Sequence, residues 1–409
     1  MNKINSEVRS GSDIYANVRG ATLSPDQTKQ GKLVVAGSGI KGVAQLTLET
    51  VGWIKNADVV AYCVSDPATE IWIKQNARSY KDLYCHYGNQ RPRIETYNSM
   101  VEDLVGFAKA GYSVCGLFYG HPGLFVNPGH RAVAEARALG IDAEMLAGIS
   151  AVDCLYSDVG FDPSTAGMQT FEATDMLLRG RKPDPANGVI VWQIGCVGDI
   201  GFNFNGFDNR NLGVLCDYLE LIYPADHEVV LYEGTQYVVS KSRVERLALS
   251  QLRLARVTGI STLYLPPVTR PEIDRSMAEK LGLIRYVTKS AHTSEKTPSA
   301  VVASTSPTHG SNYQPVADIS GLANFIIELS VNPSSLLAYQ ANPKRTSLIN
   351  ADLDKTERAA LLSGHGGRIR MAIRAGSAAP AEETTRSLAS VIDIARSNAT
   401  GKNPSSASN

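Results

Sequence analysis

The feature that most constrains this chain is an alternation of strand-like and helix-like segments from Lys32 to about Tyr286. Short apolar runs recur at LVVAG (33–37), DVVAYCVSD (58–66), SVCGLFYG (113–120), GVIVWQIG (188–195), HEVVLYEG (227–234) and STLYLPP (261–267). Between them lie stretches with apolar residues at helical spacing: VAQLTLETVGWIKNA (43–57), VEDLVGFAKAG (101–111), RAVAEARALG (131–140) and SRVERLALSQLRLA (242–255). Strand and helix in turn over roughly 250 residues predict an α/β fold with mostly parallel strands.

The flanks read differently. Residues 1–30 are polar and irregular, a flexible leader, and the α/β domain is placed at 31–287. The Ser/Thr/Pro-rich stretch TKSAHTSEKTPSAVVASTSPTHGSNYQP (288–315) marks a linker over 288–317. Fully extended it would span on the order of 90–100 Å. A small helical unit is expected at 318–375. Ile319, Leu322, Ile326 and Leu329 form a helical stripe, and Asn332-Pro333 opens a second helix that Pro343 closes. Asp354 with Glu357 resembles a capping box ahead of RAALLSGH, with Gly364 as its stop, and RIRMAIRAG is the fourth stretch. None of these helices is long enough to stand alone, so the unit must pack on a partner surface. Residues 376–409 contain no aromatic residue and read as a disordered tail, interrupted by the apolar patch SLASVIDIA (387–395).

Charge and cysteine usage exclude several classes. Forty Lys+Arg balance forty Asp+Glu, so no global field recruits nucleic acid or an anionic membrane. The N-terminus lacks a signal-peptide core, and no apolar run approaches a membrane span. Six cysteines form no CxxC pair and no Cys/His ligand spacing, as expected for reduced thiols in a cytoplasmic protein without a metal site.

Motifs at strand ends carry the functional signal. Gly37-Ser38-Gly39-Ile40-Lys41-Gly42 matches a dinucleotide-binding turn, with Asp58 or Asp66 as ribose partners, but also any tight turn of a doubly wound sheet. Phe118-Tyr119-Gly120-His121-Pro122-Gly123 fixes an unusual backbone where α/β sheets bind ligands, and His121 is either a ligand contact or a loop hydrogen-bonder. Ala147-Gly148-Ile149-Ser150-Ala151 opens a helix with Ser150 as its cap. Gln193-Ile194-Gly195-Cys196 and Ser261-Thr262 are further strand-end turns, and all five fit one crevice between two halves. Between Tyr84 and Tyr97 lie three tyrosines and two arginines. That segment is either a surface loop or a site where Arg93 stabilises a tyrosinate beside a donor tyrosine.

Taken in order, GSGI, DVVAYCVSDP, FYGHPGLFVNP, AGISA and ISTLYLPP resemble the tetrapyrrole-methylase fold of S-adenosylmethionine-dependent (class III) methyltransferases. More narrowly, DLYCHYGNQRPRIETY, GISAVDCL, QIGCVG, FNFNGFDN, VNPSSLLAYQANP and DLDKTERAALLSGH resemble the omphalotin-type borosin peptide backbone N-methyltransferases, which are fused to their own precursor peptide. The resemblance implies two lobes of mostly parallel sheets followed by a helical clasp. It implies S-adenosyl-L-methionine as cofactor, S-adenosyl-L-homocysteine as product, and a structural glycine turn at 37–42. Cofactor contacts are expected from Tyr119, His121, Leu124, Phe125, Ala151, Gln193, Ser261 and Thr262. Tyr87, Arg93 and Tyr97 match the catalytic Tyr–Arg–Tyr set, and Tyr84 a substrate-pocket position. Tyr87 is then the base, and Tyr97 the donor to the peptide oxygen.

The resemblance also implies an interlocked homodimer, methylation of the partner's tail, and later processing by a protease or macrocyclase. Fungal omphalotin-type cores are longer and richer in Val, Ile and Gly; here SLASVIDIA, carrying Asp393, is the comparable stretch. The amides expected to be methylated are those of Leu388, Ala389, Val391, Ile392, Ile394 and Ala395. Two alternatives stay open at this point: a methyltransferase of an external small molecule with an inert tail, and a non-catalytic cofactor-binding scaffold.

Overall fold

A computed structural model describes residues 14–24, 31–283, 320–331, 333–350 and 352–376. Strands β1 (Arg19–Gly20), β2 (Lys32–Gly37), β3 (Val59–Cys63), β4 (Ser79–Asp82), β5 (Ser113–Phe118) and β6 (Asp142–Met145) form one sheet in the order β1-β4-β3-β5-β2-β6. Every pairing in it is parallel except β1 with β4. Alternate residues feed two cores. Leu33, Val35, Val59 and Val114 face the helix Arg93–Lys109, while Val34, Val60, Cys115 and Leu117 face the opposite way. Burial on both faces is why these strands read as unbroken apolar runs.

The second sheet comprises β7 (Met168–Glu172), β8 (Gly188–Trp192), β9 (Glu228–Glu233), β10 (Arg243–Ala248) and β11 (Thr262–Leu265), in the order β10-β9-β11-β8-β7. Only β7 and β8 pair in parallel, so the expectation of mostly parallel strands holds for the first sheet and is corrected for the second. Parallel neighbours need a crossover of a dozen or more residues, and the β9–β10 connection has no helix to make one.

The helix expected at 242–255 is instead β10 followed by a 3₁₀ turn, Leu249–Leu254. Cross-strand charges reward the strand: Arg243 pairs with Glu233 at 3.3 Å and Arg246 with Glu228 at 3.1 Å.

The flexible leader is corrected over its described part. β1 pairs with β4, Tyr15 packs edge-on against Phe107 and Tyr112, and the Ile14 carbonyl accepts from Lys81 Nζ at 2.9 Å.

Among the described residues the C-terminal unit contains five helices, Gly321–Val331, Pro333–Ala341, Pro343–Ile349, Lys355–Leu362 and Gly366–Gly376. The second helix ends at Ala341, just before Pro343, as expected; Pro343 also opens a further helix, at its first position, where its missing N–H costs nothing, and the Asn342 side chain caps it. The capping box of Asp354 with Glu357 forms as expected, and Gly364 takes a left-handed φ of 62° after that helix. The surface these helices need is on the same chain: Leu322, Ile326, Leu361, Ile369 and Ile373 share one core with Ile71, Trp72 and the face of the first sheet. Among the described residues, no helix is long and apolar enough to cross a membrane.

Candidate active site

A cleft of about 270 Å³ opens at the C-terminal ends of strands from both sheets. All eight residues expected to contact a cofactor line it: Tyr119, His121, Leu124, Phe125, Ala151, Gln193, Ser261 and Thr262. The loop after β5 enters through Gly120 at φ 76° and Phe125 at φ 58°, and Gln193 follows β8 at φ 59°. Two non-glycine residues held in the left-handed region at one cleft mark a site whose backbone shape is fixed by more than local preference. His121 Nδ1 accepts from the Gly123 amide at 3.0 Å, which tightens the loop. The capping box of Ser150 with Asp153 holds the helix beginning at Ala151. Ser261 donates its hydroxyl to Glu233 Oε1 at 2.5 Å, and Arg243 pairs with the same oxygen at 3.3 Å.

The glycine turn does not bind a dinucleotide. Gly39 and Gly120 form a backbone bridge, and a Cβ on Gly37 would meet the Gly120 oxygen at 2.2 Å. Asp58 accepts from the Ser113 amide, and buried Asp66 caps the helix Pro67–Asn76, so neither is offered to a ribose. The loop carrying Gly120 packs directly against this turn.

The cleft fits an adenosyl group. Phe125 and Trp192 give it aromatic walls with ring centroids 5.5 Å apart. Trp192 Nε1 is buried with no acceptor among the described residues. Trp192, Ile40, Tyr232 and Ile260 also line the cleft but were not foreseen. Trp192 and Tyr232 read as core strand residues, and only their places at the ends of GVIVW and EVVLYE hinted otherwise.

Beside the cleft stands the tyrosine cluster. Tyr84 and Tyr87 have ring centroids 4.9 Å apart, and Phe202 packs 4.4 Å from Tyr87. Tyr84 lies in the 3₁₀ turn Leu83–His86 and Tyr87 follows it, while Arg93 and Tyr97 lie in the first turns of the helix Arg93–Lys109. Arg93 lies over Phe207 at 5.6 Å, donates to the Gly201 carbonyl at 3.0 Å and to that of Asp199, and hydrogen-bonds Cys196.

Burial raises all three phenols: Tyr84 is pushed up to about 12, Tyr97 is raised, and Tyr87 stands well above the ordinary tyrosine range. The Arg93 guanidinium opposes burial at both Tyr87 and Tyr97, and the neighbouring Tyr87 hydroxyl also favours ionised Tyr97. Two contacts join cluster and cleft. The Tyr119 amide donates to the Cys63 carbonyl at 3.1 Å while the Cys63 thiol lies among Tyr84, Tyr87 and Tyr97. Cys196 bridges Arg93 to the Gln193 carbonyl.

Residues 32–234 match the family of Tetrapyrrole (Corrin/Porphyrin) Methylases, and residues 293–402 match the Borosin biosynthesis clasp domain. The chain is 37% identical to the methyltransferase/ribosomally synthesized cyclic peptide omphalotin A precursor of Omphalotus olearius, over 85% of this chain and 89% of that protein.

The chain belongs to the borosin methyltransferase–precursor family.

A second borosin relative, the dendrothelin A precursor of Dendrothele bispora, is also 37% identical, over 86% of this chain and 90% of its own. A type III borosin cyclic peptide precursor from Anomoporia bombycina is 36% identical over 91% of this chain, which spans about half of that protein's length (47%). The borosin clasp match begins at 293, inside the stretch read from sequence as a linker.

Proposed function

We propose that this chain is an S-adenosylmethionine-dependent α-N-methyltransferase that methylates backbone amides of its own C-terminal segment. The observation that carries this reading is the contact, through Cys63 and Cys196, between an adenosyl-sized cleft and a buried Tyr–Arg–Tyr cluster. In this reading residues 31–287 catalyse, 288–317 connect, 318–375 hold the precursor peptide, and 376–409 are the substrate. The expected methylation positions Leu388, Ala389, Val391, Ile392, Ile394 and Ala395 lie outside the described residues.

A peptide N–H is a far weaker acid than a phenol, so the site must both remove its proton and stabilise the resulting charge. Tyr87, Tyr97 and Arg93 supply these functions as one unit. The sequence assigned the base to Tyr87 and the oxyanion donor to Tyr97. The two neighbouring phenols titrate as a pair, and with Arg93 favouring its ionised form that pair accepts the amide proton. The phenol left protonated donates to the peptide oxygen as charge moves there. Bound S-adenosylmethionine supplies an electrophilic methyl, and S-adenosylhomocysteine leaves once the amide nitrogen has taken it. The pair then returns its extra proton to solvent. Tyr84 and Phe202 wall the site with aromatic surface and exclude water from the reacting amide.

Transfer between subunits of a homodimer is part of the proposal, because the peptide must reach the cluster in an extended form with its N–H groups unpaired. Intact-mass measurement tests the whole reading. Gains of about 14 Da per methyl, confined to peptides after Gly376, support it. Turnover of an added small molecule with an unmodified tail overturns it.

A further inference from the structure

Behind the tyrosines lies a buried charged cluster that the proposed chemistry does not use. Lys81 Nζ lies 2.9 Å from Asp103 Oδ2, and His86 Nε2 lies 2.5 Å from the same oxygen. The Lys81 side chain is 2% exposed and that of Asp103 7%. Lys81 also donates to the Ile14 carbonyl at 2.9 Å and lies over the Phe107 ring at 5.7 Å. A carboxylate only accepts, so His86 Nε2 carries the proton in its bond to Asp103.

The position of this cluster gives it a purpose. Lys81 is in β4, which runs directly into the 3₁₀ turn Leu83–His86 and on to Tyr87. Asp103 belongs to the helix Arg93–Lys109, which carries Arg93 and Tyr97. A single carboxylate oxygen therefore joins the two elements that present the tyrosines. The His86 carbonyl strengthens the joint, accepting from Arg91 Nη1 at 2.7 Å and from Thr96 Oγ1 at 3.3 Å. Burying a Lys–Asp pair adds little net stability over a well-packed apolar substitute, whereas small displacements of reacting groups cost much rate.

We infer that Asp103, gripped by Lys81 and His86, is a positioning residue for methyl transfer that sets Tyr84 and Tyr87 against Arg93 and Tyr97. The inference rests on the reading of Tyr87, Arg93 and Tyr97 as the reacting groups. The described N-terminal segment takes part, since the Ile14 carbonyl completes the coordination of Lys81.

The test measures two quantities on the full-length chain: the first-order rate of tail methylation at saturating S-adenosylmethionine, and the affinity for S-adenosylhomocysteine. Asp103→Asn is expected to slow methylation by about 10–100-fold, with cofactor affinity kept within about twofold. His86→Phe, which loses the donor, should slow it likewise, and His86→Gln, which restores an N–H donor, should recover most of the rate. A purely structural role would lower melting temperature without this pattern of loss and rescue at low temperature. Should Asp103→Asn fail to bind the product, the His86 pair carries the test alone. Variants that bind normally and methylate at the wild-type rate, beside an inactive Tyr87→Phe, overturn the inference and leave the catalytic reading standing. Wild-type activity in Tyr87→Phe overturns both.

Discussion

Arg93 Nε donates to the Gly201 carbonyl at 3.0 Å, and the Arg93 amide bonds the Ile200 carbonyl at 3.2 Å. The arginine beside the tyrosines is thus fastened to the loop after β8, in the other lobe. Its guanidinium serves two carbonyls at once while its charge favours the ionised phenols, a fork that an ammonium cannot reproduce. Arg93→Lys is therefore expected to lose at least about tenfold in methylation rate, and Arg93→Ala about a hundredfold or more. Cofactor affinity should change less than about threefold in both. A fully active lysine variant would show that charge alone suffices.

Titration of the phenols sets the pH dependence. Burial raises Tyr87 and Tyr97, so the ionised pair is scarce at neutral pH and grows as pH rises. The methylation rate should climb from pH 7 to 9, by up to about tenfold per unit. Product affinity measured at each pH separates chemistry from binding. A rate that is flat or falls across that range contradicts a phenolate base.

Trp192 lines the cleft with its ring 5.5 Å from that of Phe125. Trp192→Ala removes that aromatic wall, so S-adenosylhomocysteine should bind about 5- to 30-fold more weakly. The same loss should appear as a smaller thermal stabilisation by that ligand. Unchanged affinity would mean that the bound ligand does not rest on this ring.

Much of the first lobe was legible because its strands are buried on both faces, so Leu33, Val34 and Val35 form an unbroken apolar run with one structural meaning. The cofactor loops were legible as a set: glycine turns at the ends of several strands converge on one crevice. SRVERLALSQLRLA was misread because Val244, Leu247 and Ala248 keep helical spacing, whereas pairing with β9 made 243–248 a strand whose Val244 and Leu247 enter different cores. Pro343 was legible as the stop after Ala341, but the short helix it opens, Pro343–Ile349, was not, because a proline follows a helix end and begins a first turn alike. Asp103 and Lys81 left no trace, since a shared buried oxygen joins residues from different elements without any short motif.

The docking of the C-terminal helices makes a separate expectation. Leu322 is fully buried in the core shared with Trp72 and the first sheet. Leu322→Ala should destabilise this docking by about 2–5 kcal/mol, seen as faster amide exchange in the helices while product binding persists. Tail methylation should slow with it. Normal methylation from an undocked unit would remove the role proposed for residues 318–375.

Transfer between subunits is tested by mixing a full-length Tyr87→Phe chain with an active chain truncated after Gly376, under conditions allowing exchange. Methylated tails on the inactive chain are the expected result. Verified heterodimers with unmodified tails, beside wild type that modifies its own, would exclude the route.

The central claim, that this chain methylates its own backbone, is tested most directly by intact and peptide mass of wild type and Tyr87→Phe after incubation with S-adenosylmethionine. Wild type should gain multiples of about 14 Da located on backbone amides between Leu388 and Ala395, and Tyr87→Phe none. An unmodified wild-type tail, or an equally modified Tyr87→Phe tail, would contradict it.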